Sequence, residues 1–292
     1  MDPNKTIRAY RDAVAIVTGG ASGIGRAISE ELVKRGCEVV IADLQADLAE
    51  EIASKLRHSG GKATAVETDV TNYPAMEQLV RETVQRTIRL DYMFNNAGIG
   101  IGGPVNHFGI EDWKYIVNIN LNGVINGVQA AYNAMVAQGF GHIVNTASMA
   151  GLMPYPGGVA YATTKYAVVG LSKSLRAEAA SFGIQVSVLC PGVIRTSILE
   201  GGGKFGRMLI EISPEAMSRM WESLKPMPPA LFAERALDTV AKNKAVIIEP
   251  SWWKWFWWIN RLSPSLGIAL AQKRFQADMK ALSAGQRDAS SK

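Results

Sequence analysis

Cysteine and histidine are scarce, and the charge is nearly balanced; each shortage removes a class of protein. Cys37 and Cys190 are the only two thiols in 292 residues, one at the head of an apolar stretch and one at the end of another. They cannot build a disulfide framework, so a reducing compartment is expected. His58, His107 and His142 lie far apart, and no Cys–His cluster has ligand spacing, so no metal is expected. The net charge of +5 comes without an arginine-rich run, which gives nucleic acid no footprint. The first twelve residues are polar and lack the apolar segment of a secretory signal, so the expected location is cytoplasmic.

What is present is ample core material and a regular alternation. Apolar residues make up 48% of the chain, enough for one large α/β domain with an appendage. From residue 13, β-rich apolar runs alternate with helical patterns. The runs cover 13–18, 38–42, 63–67, 90–94, 142–146, 185–189 and 245–248. Helices are predicted from the glycine-rich turn to about 35, over 46–58, 74–87 and 111–137, up to about 182, and over 231–242. This alternation predicts a Rossmann-type, doubly wound parallel sheet of about seven strands with helices on both faces. Residues 1–250 are read as one dinucleotide-binding and catalytic domain, with 197–230 as a substrate lid and 251–292 as a C-terminal extension.

Chemistry is concentrated in a few short stretches. After the first strand comes Gly19-Gly20-Ala21-Ser22-Gly23-Ile24-Gly25, opening a helix. A side chain at 19, 23 or 25 would block the tight turn or the approach of a pyrophosphate to the helix N-terminus. Asp43 ends the second strand about twenty residues later, where a carboxylate accepts from the ribose hydroxyls of NAD and repels the extra phosphate of NADP. Leu44 and Gln45 follow it and offer that phosphate no partner; helix capping is the alternative role for Asp43. Tyr161 and Lys165 lie four apart on a predicted helix, so a phenol and an ammonium share one face. A nearby cation favours the phenolate and makes the pair a candidate base.

Taken together, 18-Thr-Gly-Gly-Ala-Ser-Gly-Ile-Gly-25, Asp69-Val70, Asn95-Asn96-Ala97-Gly98, Ser148 and Tyr161-x-x-x-Lys165 resemble the short-chain dehydrogenase/reductase family in order and spacing, from about residue 13 to 196. The resemblance implies NAD as cofactor in preference to NADP, held by Gly19, Ser22, Gly23, Ile24, Gly25, Asp43, Asp69, Val70, Asn96, Ala97, Gly98, Tyr161, Lys165, Pro191, Gly192, Val193 and Thr196. It further implies that Asn95 ties the central strands together. The catalytic set it implies is Asn120, Ser148, Tyr161 and Lys165. Tyr161 takes the hydroxyl proton, Ser148 hydrogen-bonds the same oxygen, and Lys165 lowers the tyrosine's pKa and holds the ribose. Asn120 kinks its helix and keeps a water leading to the lysine. Members often carry two serines where this chain keeps only Ser148.

The remainder departs from that pattern. Between 197 and 230, Ile198, Leu199, Phe205, Met208, Leu209, Met217, Met220 and Trp221 suggest either an adaptable pocket for a lipophilic alcohol or ketone, or simple packing of the lid on its own domain. Gly201-Gly202-Gly203 is a candidate hinge. Five of the seven tryptophans fall between 252 and 258, a run too short for the ~20 apolar residues of a bilayer span. Three readings remain open for it: a peripheral membrane contact through 252–262, a contact in a homo-oligomer (dimer or tetramer), or a pocket cover. Ser263-Pro264 is read as the cap and first turn of a last helix, with Ile268, Phe275, Met279 and Leu282 on one side. The expected function is NAD-dependent alcohol dehydrogenase or ketone reductase. The alternative is a catalytically silent NAD(H)-binding sensor or scaffold.

Overall fold

The computed structural model describes residues 6–290, with side chains to Lys280; Leu282 therefore lies outside the described side chains. The strands are β1 (Val14–Thr18), β2 (Glu38–Asp43), β3 (Lys62–Glu67), β4 (Tyr92–Asn95), β5 (Ile101–Gly102), β6 (Gly141–Thr146), β7 (Ile184–Pro191), β8 (Arg207–Met208) and β9 (Val246–Glu249). The helices are α1 (Gly23–Lys34), α2 (Ala46–His58), α3 (Tyr73–Thr87), α4 (Ile110–Val117), α5 (Gly123–Gln138), α6 (Val159–Ala179), α7 (Pro214–Glu222), α8 (Pro229–Val240), α9 (Trp253–Leu262) and α10 (Pro264–Ser290).

Seven strands form one parallel sheet in the order β3-β2-β1-β4-β6-β7-β9. Every residue of β1 and β6 is buried, as a strand covered on both faces requires. One face is covered by α1, α2 and α8, whose Ile28, Leu32, Ile52 and Phe232 pack on Val17, Val39 and Ile41. The other is covered by α3 and α5, where Met76, Leu79 and Met135 pack on Ile16, Met93 and Ile143. This is a doubly wound, Rossmann-like fold. The order reverses between β1 and β4, and a crevice for a ligand opens at such a point, beyond the carboxyl ends of the strands.

Local chemistry explains several boundaries. Asn72 caps α3 by accepting from the Ala75 N–H at 3.3 Å, and Pro74 sits in the first turn where its missing N–H costs nothing. Helix α5 ends at Gly139, whose φ of +81° is the left-handed conformation that stops a helix. The single helix expected over 111–137 is instead two, α4 and α5, joined by a π turn at Asn118–Asn122. Periodicity alone cannot show one extra residue inserted in a turn, because the apolar face realigns after it.

The 197–230 connection is partly ordered structure. Its β8 pairs in parallel with β5, its α7 is capped by Ser213, and Arg207 forms an ion pair with Asp112 on α4. The glycines at 201–203 all have positive φ, but Gly202 accepts from Gly100 N–H at 3.2 Å and a Cβ on it would lie 2.2 Å from the Gly100 carbonyl. The segment expected to be a hinge is thus fastened to the loop after β4.

Candidate active site

The glycine-rich turn is shaped by contacts that leave no room for side chains. A Cβ on Gly19, whose φ is +61°, would stand 2.8 Å from the Ala97 Cα, and one on Gly25 would stand 2.1 Å from the Gly19 carbonyl and 2.5 Å from the Asn96 amide. Thr18 supplies the tie between the two loops: its hydroxyl accepts from the N–H groups of Asn96 (3.0 Å) and Ala97 (3.2 Å). Asn96 returns a bond from Nδ2 to the Thr18 carbonyl at 3.2 Å. Ser22 stands at the N-cap of α1 without making a side-chain cap bond, and the first turn holds no acid, so the helix end presents N–H groups and a hydroxyl to an anion. Ile24 packs against the core and anchors that turn.

Asp43 is buried at the end of β2 and already engaged. Oδ2 accepts from the Ala21 N–H and Oδ1 from the Gln45 N–H, both at 3.0 Å, so the carboxylate also staples the glycine-rich loop to β2. Capping of α2 is not its role, because α2 has Gln45 as N-cap. A cleft of about 460 Å³ opens just after it in the chain, lined by Leu44, Gln45, Ala46 and Asp47 and, from the 197–230 connection, by Lys204 and Phe205. Sequence reading found no cation following Asp43; the fold brings one from about 160 positions away. Asp69 is exposed, with one oxygen holding the N–H and hydroxyl of Thr71 at 2.9 and 2.8 Å. The Val70 carbonyl takes a bond from Asn126 at 2.8 Å. Asn95 donates to Asn145 across β4 and β6 at 2.8 Å, the strand tie that the resemblance implied.

The four residues expected to be catalytic converge from three places: the π turn, the end of β6 and α6. Ser148 follows β6 and caps a short turn, its Oγ accepting from the Ala150 N–H at 3.1 Å. The same side chain acts on the Tyr161 hydroxyl, which arrives from the first turn of α6, and lowers its pKa. One turn further on, the buried Lys165 donates from Nζ to the Thr146 carbonyl at 3.0 Å and lies 5.4 Å from the Tyr161 ring centroid. Gly98 lies close to this group: a Cβ there would be 3.5 Å from the lysine nitrogen and 3.2 Å from the Asn120 Oδ1.

Burial pushes the Tyr161 hydroxyl up to about 12, with Ser148 pulling the other way. Burial likewise pushes Lys165 down to about 8, because desolvation disfavours its charged form. Asn120 is wholly buried in the π turn, and its amide is committed to the Ile99 backbone, accepting from N–H at 2.8 Å and donating to C=O at 2.9 Å. The side chain therefore pins the loop after β4, and the kink expected there takes the form of the π turn.

On the far side, β7 ends at Pro191, and the Gly192 N–H donates to the Glu249 carbonyl at 2.9 Å. A Cβ on Gly192 would lie 2.2 Å from the indole nitrogen of Trp253, a contact that no motif announced. Val193 is buried, and its carbonyl accepts from Met227 at 2.9 Å. The Thr196 methyl reaches the glycine-rich turn, 3.3 Å from where a Gly23 Cβ would stand. Apolar walls close round Tyr161. Tyr155 meets its ring edge-on at 6.2 Å, and Phe205 and Leu209 of the 197–230 connection pack in the same cluster as Tyr161, Ile99 and Ile101. Tyr155 carried no motif, and only the turn at Gly157-Gly158 folds it back. Among the described residues no group of acids, thiols and imidazoles could hold a metal ion. His142 sits in the core with its ring nitrogen 2.8 Å from Ser187 Oγ, and burial pushes its pKa down to about 3.

Known proteins share this fold. The family model described as short chain dehydrogenase matches residues 13–204. Tropinone reductase-like 2 of Erythroxylum coca is 40% identical over 204 residues, 68% of this chain and 73% of its own length. A 3beta-hydroxysteroid dehydrogenase of Eggerthella lenta is 36% identical over 186 residues, 63% of this chain and 72% of its own. Among solved structures, a short chain dehydrogenase/reductase from Burkholderia phymatum in complex with NAD superposes with a TM-score of 0.79 at 26% identity, covering 89% of this chain and 96% of that one. With a matching family model over most of the sheet and the same fold in solved members, the chain belongs to the short-chain dehydrogenase/reductase family of oxidoreductases.

Proposed function

We propose that this protein is an NAD-dependent oxidoreductase acting on the hydroxyl or carbonyl carbon of a lipophilic alcohol or ketone, with Tyr161 as acid and base. The observation that carries the proposal is the Ser148 side chain acting on the Tyr161 hydroxyl, with Lys165 one turn away, at the mouth of a glycine-shaped crevice.

The crevice suits a dinucleotide, because Gly19, Gly23 and Gly25 keep it clear of side chains and the α1 N-terminus offers free N–H groups. Pyrophosphate would lie against Ser22, Gly23, Ile24 and Gly25, with the adenosine between Asp43, Asp69, Val70, Asn96, Ala97 and Gly98. The other ribose and ring would lie near Lys165, Pro191, Gly192, Val193 and Thr196. When bound, the nicotinamide supplies or accepts the hydride and, oxidised, adds a positive charge that favours the phenolate. Asp43 supports NAD over NADP, since a buried carboxylate repels a phosphate at short range.

The chain's own groups handle the proton. Held near 12, the Tyr161 phenol is protonated at neutral pH and ready to donate to a carbonyl oxygen. Ser148 donates to the same oxygen and stabilises charge developing on it. For oxidation the phenolate must form, and the Lys165 ammonium, still charged below about pH 8, stabilises it. The walls of Tyr155, Phe205 and Leu209 support a lipophilic substrate. Exposed Ile125 on α5 and Tyr166 on α6 support assembly into a homo-oligomer.

The test is NADH formation over a panel of secondary alcohols of rising lipophilicity, with NADP in parallel. NAD-linked turnover that rises with chain length is expected. Faster turnover with NADP at equal low concentration overturns the cofactor assignment, and turnover of none of the panel in either direction overturns the enzyme reading.

A further inference from the structure

Helices α9 and α10 carry a large share of the molecule's unburied grease. Of the eighteen exposed large apolar side chains among the described residues, eight fall between 252 and 270. Helix α9 is two-sided. Trp253 is buried against Gly192, the half-buried Trp257 packs with Leu152, Met153 and Trp221 of the 197–230 connection, and Asn260 donates to the Leu152 carbonyl at 3.0 Å. Trp255, Trp258 and Leu262, spaced three and four apart, form the opposite stripe at 75%, 48% and 80% exposure. Leu266 and Leu270 extend it onto α10.

The charge beside this stripe has one sign. No acid occurs between 250 and 277, whereas Lys254, Arg261, Lys273 and Arg274 do. The Arg261 guanidinium lies over the rings of Trp257 and Trp258 at 5.7 and 5.9 Å, at the margin of the stripe. Only Arg274 has an acidic partner among these, Asp278 one turn on. Because α9 follows directly from the carboxyl end of β9, the stripe lies at the same edge of the sheet as the catalytic loops. Helix α10 continues past them: Phe275 packs on Gly157, and Arg274 donates to Ser223 just after α7 at 3.1 Å.

We propose that α9 and the first turns of α10 dock this protein on the surface of an anionic lipid bilayer. Tryptophan and leucine enter the boundary between headgroups and acyl chains, and the flanking cations meet lipid phosphates. A second copy of the chain would answer the exposed rings but not a run from 250 to 277 that carries cations and no acid. No described helix is long and apolar enough to cross a membrane, so the attachment is lateral and reversible. Docking of this kind presents the pocket mouth to the acyl boundary, a consequence that rests on the proposed lipophilic substrate; the docking itself does not.

The experiment uses the full chain and vesicles of phosphatidylcholine with and without phosphatidylglycerol. Wild type is expected to sediment with the anionic vesicles and to release as salt rises. Trp255→Ser with Trp258→Ser should lower partitioning by ~10-fold or more, and Lys254→Glu with Arg261→Glu by a similar factor, at ~1 kcal/mol per cation near the surface. Turnover of a short water-soluble alcohol should be unchanged in the first pair, so a dead enzyme and a failed membrane contact are separable. Equal sedimentation with and without anionic lipid overturns the proposal. So does a drop in solution mass of the Trp255→Ser, Trp258→Ser variant, which would assign the stripe to a second copy of the chain.

Discussion

The two ends of the crevice are built by different means. Around β1, β2 and β4, glycines and short hydrogen bonds do the shaping, and the partners lie within a few residues of a motif: Thr18 with Asn96 and Ala97, Asp43 with Ala21 and Gln45. Around β6, β7 and β9, the walls are large side chains from distant segments. Trp221 of the 197–230 connection and Trp257 of α9 share one cluster with Met149 and Leu152 beside Ser148. The first end demands particular atoms at particular places, while the second demands only volume and apolarity. A shared cofactor calls for the former, and a substrate that differs between relatives permits the latter.

That contrast can be broken most sharply at the point where both ends meet. Tyr161→Phe keeps the ring between Tyr155 and Lys165 and removes only the hydroxyl. Turnover should fall by ~10² or more while NAD affinity by fluorescence titration stays within about threefold. Near-normal turnover would show that the Ser148–Tyr161 pair does not carry the chemistry.

Gly192→Ala tests whether the extension has become part of the atom-exact side. Its Cβ would collide with the Trp253 indole 2.2 Å away, so a stability loss of ~1–3 kcal/mol and a raised KM for NAD are expected. Adding Trp253→Leu should restore much of both. Urea unfolding and cofactor titration on the four corners of that cycle measure the coupling; additivity would mean that the indole simply moves aside.

Lys165 gives a pH test. Its pKa is lowered from 10.5 in the unfolded chain to about 8, so the folded state gives up this proton first. The group therefore disfavours folding below pH 8, and that penalty is relieved as the pH rises from 8 to 10.5. Relative to Lys165→Met, wild type should gain stability across that window, by at most ~3 kcal/mol. In the same window the ammonium is lost, and NAD affinity should weaken. A flat difference between the two proteins would place the lysine in a wetter site.

The smallest effect is expected at Lys204, which shares the cleft that follows Asp43 with Gln45 and Asp47. Lys204→Ala should shift the ratio of NAD to NADP affinity by less than about fivefold, the scale of one exposed charge. A larger shift would make the 197–230 connection, rather than Asp43, the reader of the adenosine end.

Much was legible from the residues because it is local. The seven strands follow from alternating buried runs, with ends within a residue or two of those read from the pattern. The glycine turn, Asn95-Asn96-Ala97-Gly98 and the Tyr161–Lys165 spacing each encode a backbone shape or a helical face that a few neighbours determine. The π turn at Asn118–Asn122 was hidden, because an extra residue leaves the apolar face intact on either side.

The amino-acid sequence by itself determined the parallel sheet and the glycine-shaped turn at its reversal, since period, glycine and capping act over a few residues. Only the tertiary structure decided how the candidate catalytic groups behave. Burial, which depends on everything packed around a side chain, holds Tyr161 near 12 and Lys165 near 8. Packing over sixty positions or more brings Trp253 under Gly192, Asn260 to Leu152 and Lys204 to the cleft that follows Asp43. No spacing rule reaches that far, because contacts between distant segments depend on the path of the whole chain between them.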